Sequence, residues 1–246
     1  MAKYDFRGPR LYVDVPLAAA QEVPLASEQA HYLRQVMRLS DGAEMLVFNG
    51  RDGEWLARIA ASGKRGAALR PEKQIRPQPE TFGPIYAFAP LKQARLDYMV
   101  QKAVEMGASR LSPVLTQFTQ VNRMNMDRMH ANAIEAAEQC GILALPALAE
   151  PLTFQKWLAS IPAETAVVFC DEDSAEKSPV AELERAKANK LAVLVGPEGG
   201  FSDEERGTLL ARDNVIRLSL GPRILRADTA AVAALALVQS VRGDWR

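Results

Sequence analysis

The chain has 246 residues, 48% hydrophobic and 24% charged, enough to bury a sizeable core without disulfides or a structural metal. Its 30 basic and 30 acidic residues cancel, so net charge gives no sign of nucleic acid, and Cys140 and Cys170 form no C-x-x-C pair and predict no disulfide framework. MAKYDFRGPR lacks the apolar run of a signal peptide, and no later stretch is long enough to cross a bilayer; a cytoplasmic chain without membrane association is expected.

From the N-terminus, Leu11–Val13, Glu44–Phe48 and Glu54–Ala60 read as strands, separated by Asp41-Gly42, Asn49-Gly50 and Asp52-Gly53. Such dipeptides favour hairpins, because both central residues of a type I′ turn need positive φ. Ser27–Leu39 reads as a helix. Residues 1–73 are therefore expected to form a small β-rich module, a compact barrel. Residues 58–76 are basic, with Arg58, Lys64, Arg65, Arg70, Lys73 and Arg76 against Glu72, whereas 164–184 is mostly acidic around Asp171, Glu172, Asp173 and Glu176. One face meeting phosphate would produce this asymmetry; so would an ordinary solvated surface.

Pro77, Pro79 and Pro84 mark residues 74–84 as a linker. Strand and helix then alternate. Strands are predicted at Ile85–Ala89, Leu111–Leu115, Ala166–Cys170, Leu191–Val195 and Val215–Leu220, with helices near 93–107, 127–144, 178–189, 203–212 and 229–241. Gln93–Gly107 places Leu96, Met99, Val100, Ala103 and Val104 on one face and ends at a glycine suited to a C-cap. Ser178-Pro179 starts a helix with proline at its first position, and Ser202–Glu205 has capping-box spacing. Leu191–Val195 is apolar on both faces, as in a buried parallel strand. Residues 85–246 are thus expected to be an α/β domain with a mostly parallel sheet.

Ligands of open α/β sheets bind at the carboxyl ends of strands. Two segments stand there: Val195–Phe201, with three glycines in the five residues Gly196–Gly200, and Leu218–Thr229. Glycine lets backbone approach a ligand closely. Neither segment is a phosphate cradle, since no G-x-x-x-x-G-K-[ST] is present and no G-x-G-x-x-G follows the first strand of the sheet. His31, His130, Cys140 and Cys170 lack zinc-site spacing, and no G-x-S-x-G elbow occurs, so no metal site and no hydrolase nucleophile are predicted.

GPEGGFSDEE (196–205) followed by LGPRILRADTA (220–230) closely resembles the paired cofactor motifs of the ribosomal small subunit RNA methyltransferase E family, within the SPOUT superfamily. His31–Arg38 with Asp41-Gly42 resembles that family's N-terminal PUA-like module, and Gln101–Gly107 and Glu135–Gln139 resemble its internal helix signatures. The resemblance covers nearly the whole chain. It implies S-adenosylmethionine-dependent methylation of N3 of a uridine in 16S rRNA, a trefoil-knotted catalytic domain, and a homodimer working on the small ribosomal subunit. Nothing in periodicity suggests a knot, and fold-level rules oppose one.

Carried across by position, Gly196, Pro197, Glu198, Gly199 and Gly200 would line the first cofactor loop. Leu218, Leu220, Gly221, Ile224, Leu225 and Arg226 would line the second, and the end of Ala166–Cys170 would supply a third wall. Packing in the core is the alternative for Leu220, Ile224 and Leu225. The chain departs from the family in carrying Ala227 and Asp228 where threonine and glutamate are usual, and in having no arginine between Gln139 and Pro146.

Uracil N3 carries a proton and must lose it to become a nucleophile, so a base or a cation that stabilises the anion is required. Arg226 is the first candidate for the cation; Glu198 or Asp228 could take the proton, although Asp228 also suits a helix cap. Arg10, Arg34 and Arg38 are candidates for RNA backbone contacts. Another SPOUT reaction, ribose 2′-O-methylation, and a non-catalytic RNA-binding assembly factor remain the alternatives.

Overall fold

The computed structural model describes residues 8–62, 66–80, 83–121, 123–171 and 178–245. Lys64 and Arg65 of the basic stretch, and Glu172, Asp173 and Glu176 of the acidic one, lie outside the described residues, as do the first seven of the chain. The chain divides into two units, Met1–Glu80 with Ala137–Leu145, and Thr81–Ala136 with Pro146–Arg246.

The first unit is built on β1 (Arg10–Tyr12), β2 (Val23–Pro24), β3 (Glu44–Phe48), β4 (Glu54–Ser62) and β5 (Gly66–Arg76), in the order β1-β3-β4-β5-β2. Leu11, Val13, Met45, Val47, Ala57, Ile59 and Leu69 alternate onto one face and form its core with Val23 and Leu33. β1 runs parallel to β3, and the other pairings are antiparallel. β5 continues through Gln74–Arg76, where Gln74 lies opposite Trp55, three residues into the segment read as a linker.

The β3–β4 turn is not type I′. Gly50 and Gly53 have positive φ, but Asn49 and Asp52 do not. The Asn49 side chain instead accepts from the amides of Arg51 and Asp52, at 3.0 and 2.8 Å, an Asx turn that makes the second positive φ unnecessary. The helix expected over Ser27–Leu39 divides into α1 (Ser27–His31) and a π-helical turn, Tyr32–Val36, closed by Arg38 at φ +57°.

The second unit has one parallel sheet, ordered β12-β10-β11-β6-β7-β8, with the short β9 also on β7. The strands are β6 (Ile85–Phe88), β7 (Arg110–Leu115), β8 (Ala147–Leu148), β9 (Leu152–Thr153), β10 (Thr165–Cys170), β11 (Lys190–Val195) and β12 (Val215–Leu218). The helices are α2 (Gln93–Glu105), α3 (Met126–Cys140, of which Ala137–Cys140 belong to the first unit), α4 (Phe154–Ser160), α5 (Pro179–Arg185), α6 (Asp203–Leu210) and α7 (Ala227–Arg242). Phe154, Trp157 and Leu158 of α4 and Leu209 of α6 bury one face with Ala192 and Leu194 of β11. α7 packs on β11 and against α2 and α5. β11 is therefore buried on both sides, as its unbroken apolar run demands.

The helix signals act as read. Ser178 Oγ accepts from Ala181 N with Pro179 at N1, and Ser202 and Glu205 close a capping box. Gly107, at φ +72°, ends α2, and buried Gln239 of α7 donates to the free carbonyl of Met106 at 2.6 Å. α4, β8 and β9 were not foreseen, being too short to show a period.

Candidate active site

β10, β11 and β12 are adjacent and parallel, so their carboxyl ends open side by side. A cavity opens there between the loops that follow the three strands. β10 contributes Phe169, Cys170 and the following Asp171; β11 and its loop contribute Val195, Gly196, Pro197, Glu198, Gly200 and Phe201. The segment after β12 contributes Leu218, Leu220, Gly221, Arg223, Ile224 and Leu225, and the floor is completed by Ala227 and Ala230 of α7 and Arg206 of α6.

The first loop is shaped by an aromatic ring beneath it. Phe201 packs edge-on against Phe169 at 5.2 Å and tilted against Phe154 at 6.2 Å. A Cβ on Gly196 would stand 2.6 Å from the Phe201 ring, so no other residue fits there without displacing it. Gly200 holds φ +70° and Gly221, in the second loop, φ +101°, a region that favours glycine. Glu205 then ties this loop to the one after β7: its carboxylate accepts from Ser202 N at 3.0 Å and from Gln117 N at 2.9 Å.

Asp171 is the electrostatic centre of the β10 wall. It is 4% exposed and accepts from Arg206 at 3.0 Å and from Arg217 of β12 at 2.8 Å. The charge is opposed by partners from α6 and β12, which ties those two elements to the end of β10. Beside it, burial pushes the Cys170 thiol up to about 12, so it stays a neutral thiol near neutral pH and is no nucleophile.

Of the residues read from sequence as cofactor-binding, Gly196, Pro197, Glu198, Gly200, Leu218, Leu220, Gly221, Ile224 and Leu225 come together in the cavity wall. Gly199 faces Phe118 instead, whose Cβ would be 3.3 Å from a Cβ at that position. Ile224 is 87% exposed, which excludes a place in the core. Glu198 pairs with Arg95 of α2 at 2.7 Å. Arg226 is the exposed N-cap of α7 and is not part of the wall. Asp228 lies in the first turn of α7 rather than at its cap, its carboxylate accepting from Thr229 N at 2.8 Å. Sequence reasoning missed Phe201, Arg206 and Arg223. Arg223 lay inside the quoted motif, but Arg206 and Asp171 are 35 positions apart and only the sheet joins them.

In the first unit, Arg10 is corrected from RNA contact to structural ion. It is 9% exposed, bonds Glu54 at 2.7 Å, the carbonyls of Ala137 and Glu138 at 2.5 and 2.9 Å, and stacks over Phe48. A guanidinium so enclosed has no donor to offer a phosphate. Arg34 is held by Asp41 and by the carbonyl of Leu39. Arg38 is exposed and open to a partner. No group of three or more metal-type side chains occurs among the described residues, and no described helix is long and apolar enough to cross a membrane.

A cavity at the ends of parallel strands, rimmed by two glycine-containing loops, places the chain among α/β proteins that bind a ligand at the carboxyl edge of the sheet. A family model described as an RNA methyltransferase domain matches residues 80–239, and one described as an RNA methyltransferase PUA domain matches 25–72; the chain belongs to this RNA methyltransferase family. It is 32% identical over 233 residues to the ribosomal RNA small subunit methyltransferase E of Rickettsia conorii, covering 94% of each chain. Among solved structures it resembles the ribosomal RNA small subunit methyltransferase E of Neisseria gonorrhoeae bound to S-adenosyl methionine (TM-score 0.87, 26% identity, 98% and 100% covered). A methyltransferase from Legionella pneumophila in complex with the same cofactor matches at TM-score 0.82 and 27% identity, with 95% and 98% covered.

Proposed function

We propose that this chain methylates N3 of a specific uridine in the 16S rRNA of the small ribosomal subunit, acting as a homodimer in the cytoplasm. The cavity at the ends of β10, β11 and β12 carries the reading, and its support is that two relatives of the same fold are solved with S-adenosylmethionine. The RNA-binding module is the one read over 1–73 and the knotted methyltransferase domain the one read over 85–246, with the first unit extended by the end of β5 and by Ala137–Leu145.

The donor set fits the cofactor. Gly196 with Leu218, Leu220 and Leu225 gives the wall apolar surface suited to a purine, and the Asp171 and Glu198 carboxylates, each already paired with arginine, keep oxygens that can also accept from hydroxyl or ammonium groups. When bound, S-adenosylmethionine supplies an electrophilic methyl group. The chain's own work is to hold the acceptor in line, exclude water and dispose of the N3 proton. N3 lies on the Watson–Crick edge, so the target must be unpaired or extruded before it enters. Neutral Cys170 does not compete for the methyl group.

The test is to incubate the protein and labelled cofactor with small subunits lacking the modification, then digest and identify the product nucleoside. N3-methyluridine is expected; a 2′-O-methylated nucleoside would replace the reading by ribose methylation. No calorimetric binding of S-adenosylmethionine would point to an assembly factor. Sedimentation checks the dimer.

A further inference from the structure

Removing the N3 proton of uracil leaves negative charge shared with the two flanking oxygens, and a site that lowers this barrier places a cation where the charge develops. Among the described residues, two arginines line the cavity, Arg206 and Arg223. Arg206 is engaged by the Asp171 carboxylate through two nitrogens, at 3.3 and 3.0 Å, so its charge is opposed at close range. Arg223 lines the same cavity, is exposed, and has no ion-pair partner among the described residues. It stands two residues after Gly221, whose φ of +101° turns the chain, and beside Ile224, whose side chain is left to solvent. Arg226, three residues on, is outside the wall.

From this placement we infer that Arg223, and not Arg226, is the cation that stabilises the uracil anion during transfer. The inference rests on the proposed uridine-N3 reading of the cavity. The N3–H bond breaks with its electron pair left on nitrogen, and the proton passes to water. That pair forms the new N3–methyl bond while the methyl carbon–sulfur bond breaks and its electrons return to sulfur. Arg223 donates N–H groups to a uracil oxygen and is itself unchanged.

Two measurements test this. Small-subunit rRNA is transcribed with uridine or with 5-fluorouridine, whose N3 proton is more acidic, and its affinity for the cofactor-free protein is measured at pH 8. Wild type should bind the fluorinated transcript more tightly; Arg223→Ala should lose that preference, Arg223→Lys should keep part of it, and Arg226→Ala should keep it all. In the second, transfer to unmodified subunits is followed against pH. Arg223→Ala should lose about 100-fold to 1,000-fold near neutrality, the scale of one removed anion-stabilising donor, and the deficit should shrink as rising pH ionises the base unaided.

Full activity of Arg223→Ala, or an unchanged preference for the fluorinated transcript, overturns the inference. So does a pH-independent deficit matched by loss of S-adenosylmethionine binding in calorimetry, which would assign Arg223 to the cofactor. Absence of N3-methyluridine with the wild-type protein would instead sink the underlying reading, so the two failures are separable.

Discussion

Gly196 and Phe201 compete for one volume: a methyl group on the glycine would lie 2.6 Å from Cε2 of the ring. The ring is itself wedged against Phe169 and Phe154, so it cannot retreat freely. The loop after β11 is thus held against the core by an aromatic side chain five residues along the same motif.

Gly196→Ala should therefore both destabilise the domain, by about 1–3 kcal/mol as for other overpacked sites, and weaken S-adenosylmethionine binding by displacing the loop. Chemical denaturation and calorimetry read the two effects. Adding Phe201→Leu should recover part of each, because the smaller side chain frees the space; no recovery in the double variant would show that the clash is not the cause.

Asp171 gathers Arg206 and Arg217 at the end of β10. Asp171→Ala leaves two guanidinium groups facing each other without their shared acceptor. A loss of about 2 kcal/mol in stability is expected, the scale of hydrogen bonds to a charged group. Cofactor affinity should fall as well, since Arg206 and Asp171 both line the cavity. Retained affinity would confine Asp171 to a purely structural role.

Arg10→Ala should destabilise the first unit by about 3–5 kcal/mol, because it strips one partner from the fully buried Glu54 carboxylate. RNA affinity of the folded fraction should not change. Arg38→Ala should show the opposite pattern, with normal stability and a salt dependence of RNA binding shallower by about one counterion. Filter binding at several salt concentrations distinguishes them.

Desolvation pushes the Cys170 thiol, which is half-buried at the cavity wall, up to about 12 in the folded protein from 9.0 for the free group. Below pH 9 both states are protonated and this difference is fully on the side of the folded state. Above it the unfolded chain ionises first, so stability should decline as pH rises from about 9 towards 12. Cys170→Ala should flatten that decline. Iodoacetamide at pH 8 should modify exposed Cys140 and spare Cys170 until the protein unfolds.

Much of the α/β unit was legible because its signals are local. The apolar run Leu191–Val195, the Ser202–Glu205 box and Gly107 each state their structure within a few residues, and the five long strands and helices follow. The β3–β4 turn was misread for the complementary reason: the Asn49 side chain supplies hydrogen bonds that the dipeptide rule does not count.

The sequence by itself determined the class of fold, the two glycine loops and, through the resemblance of its motifs, the family. Backbone freedom at glycine and burial of strand faces depend on near neighbours, and near neighbours are what a sequence displays. Only the tertiary structure decided which charges are spent and which are available. Arg10, Arg206, Arg223 and Arg226 look alike along the chain. Burial against Glu54 occupies the first, Asp171 the second, and the turn at Gly221 carries the third into the cavity while leaving the fourth outside. An arginine's role follows from the distance to its nearest carboxylate and from its exposure, and both are set by segments far away in sequence.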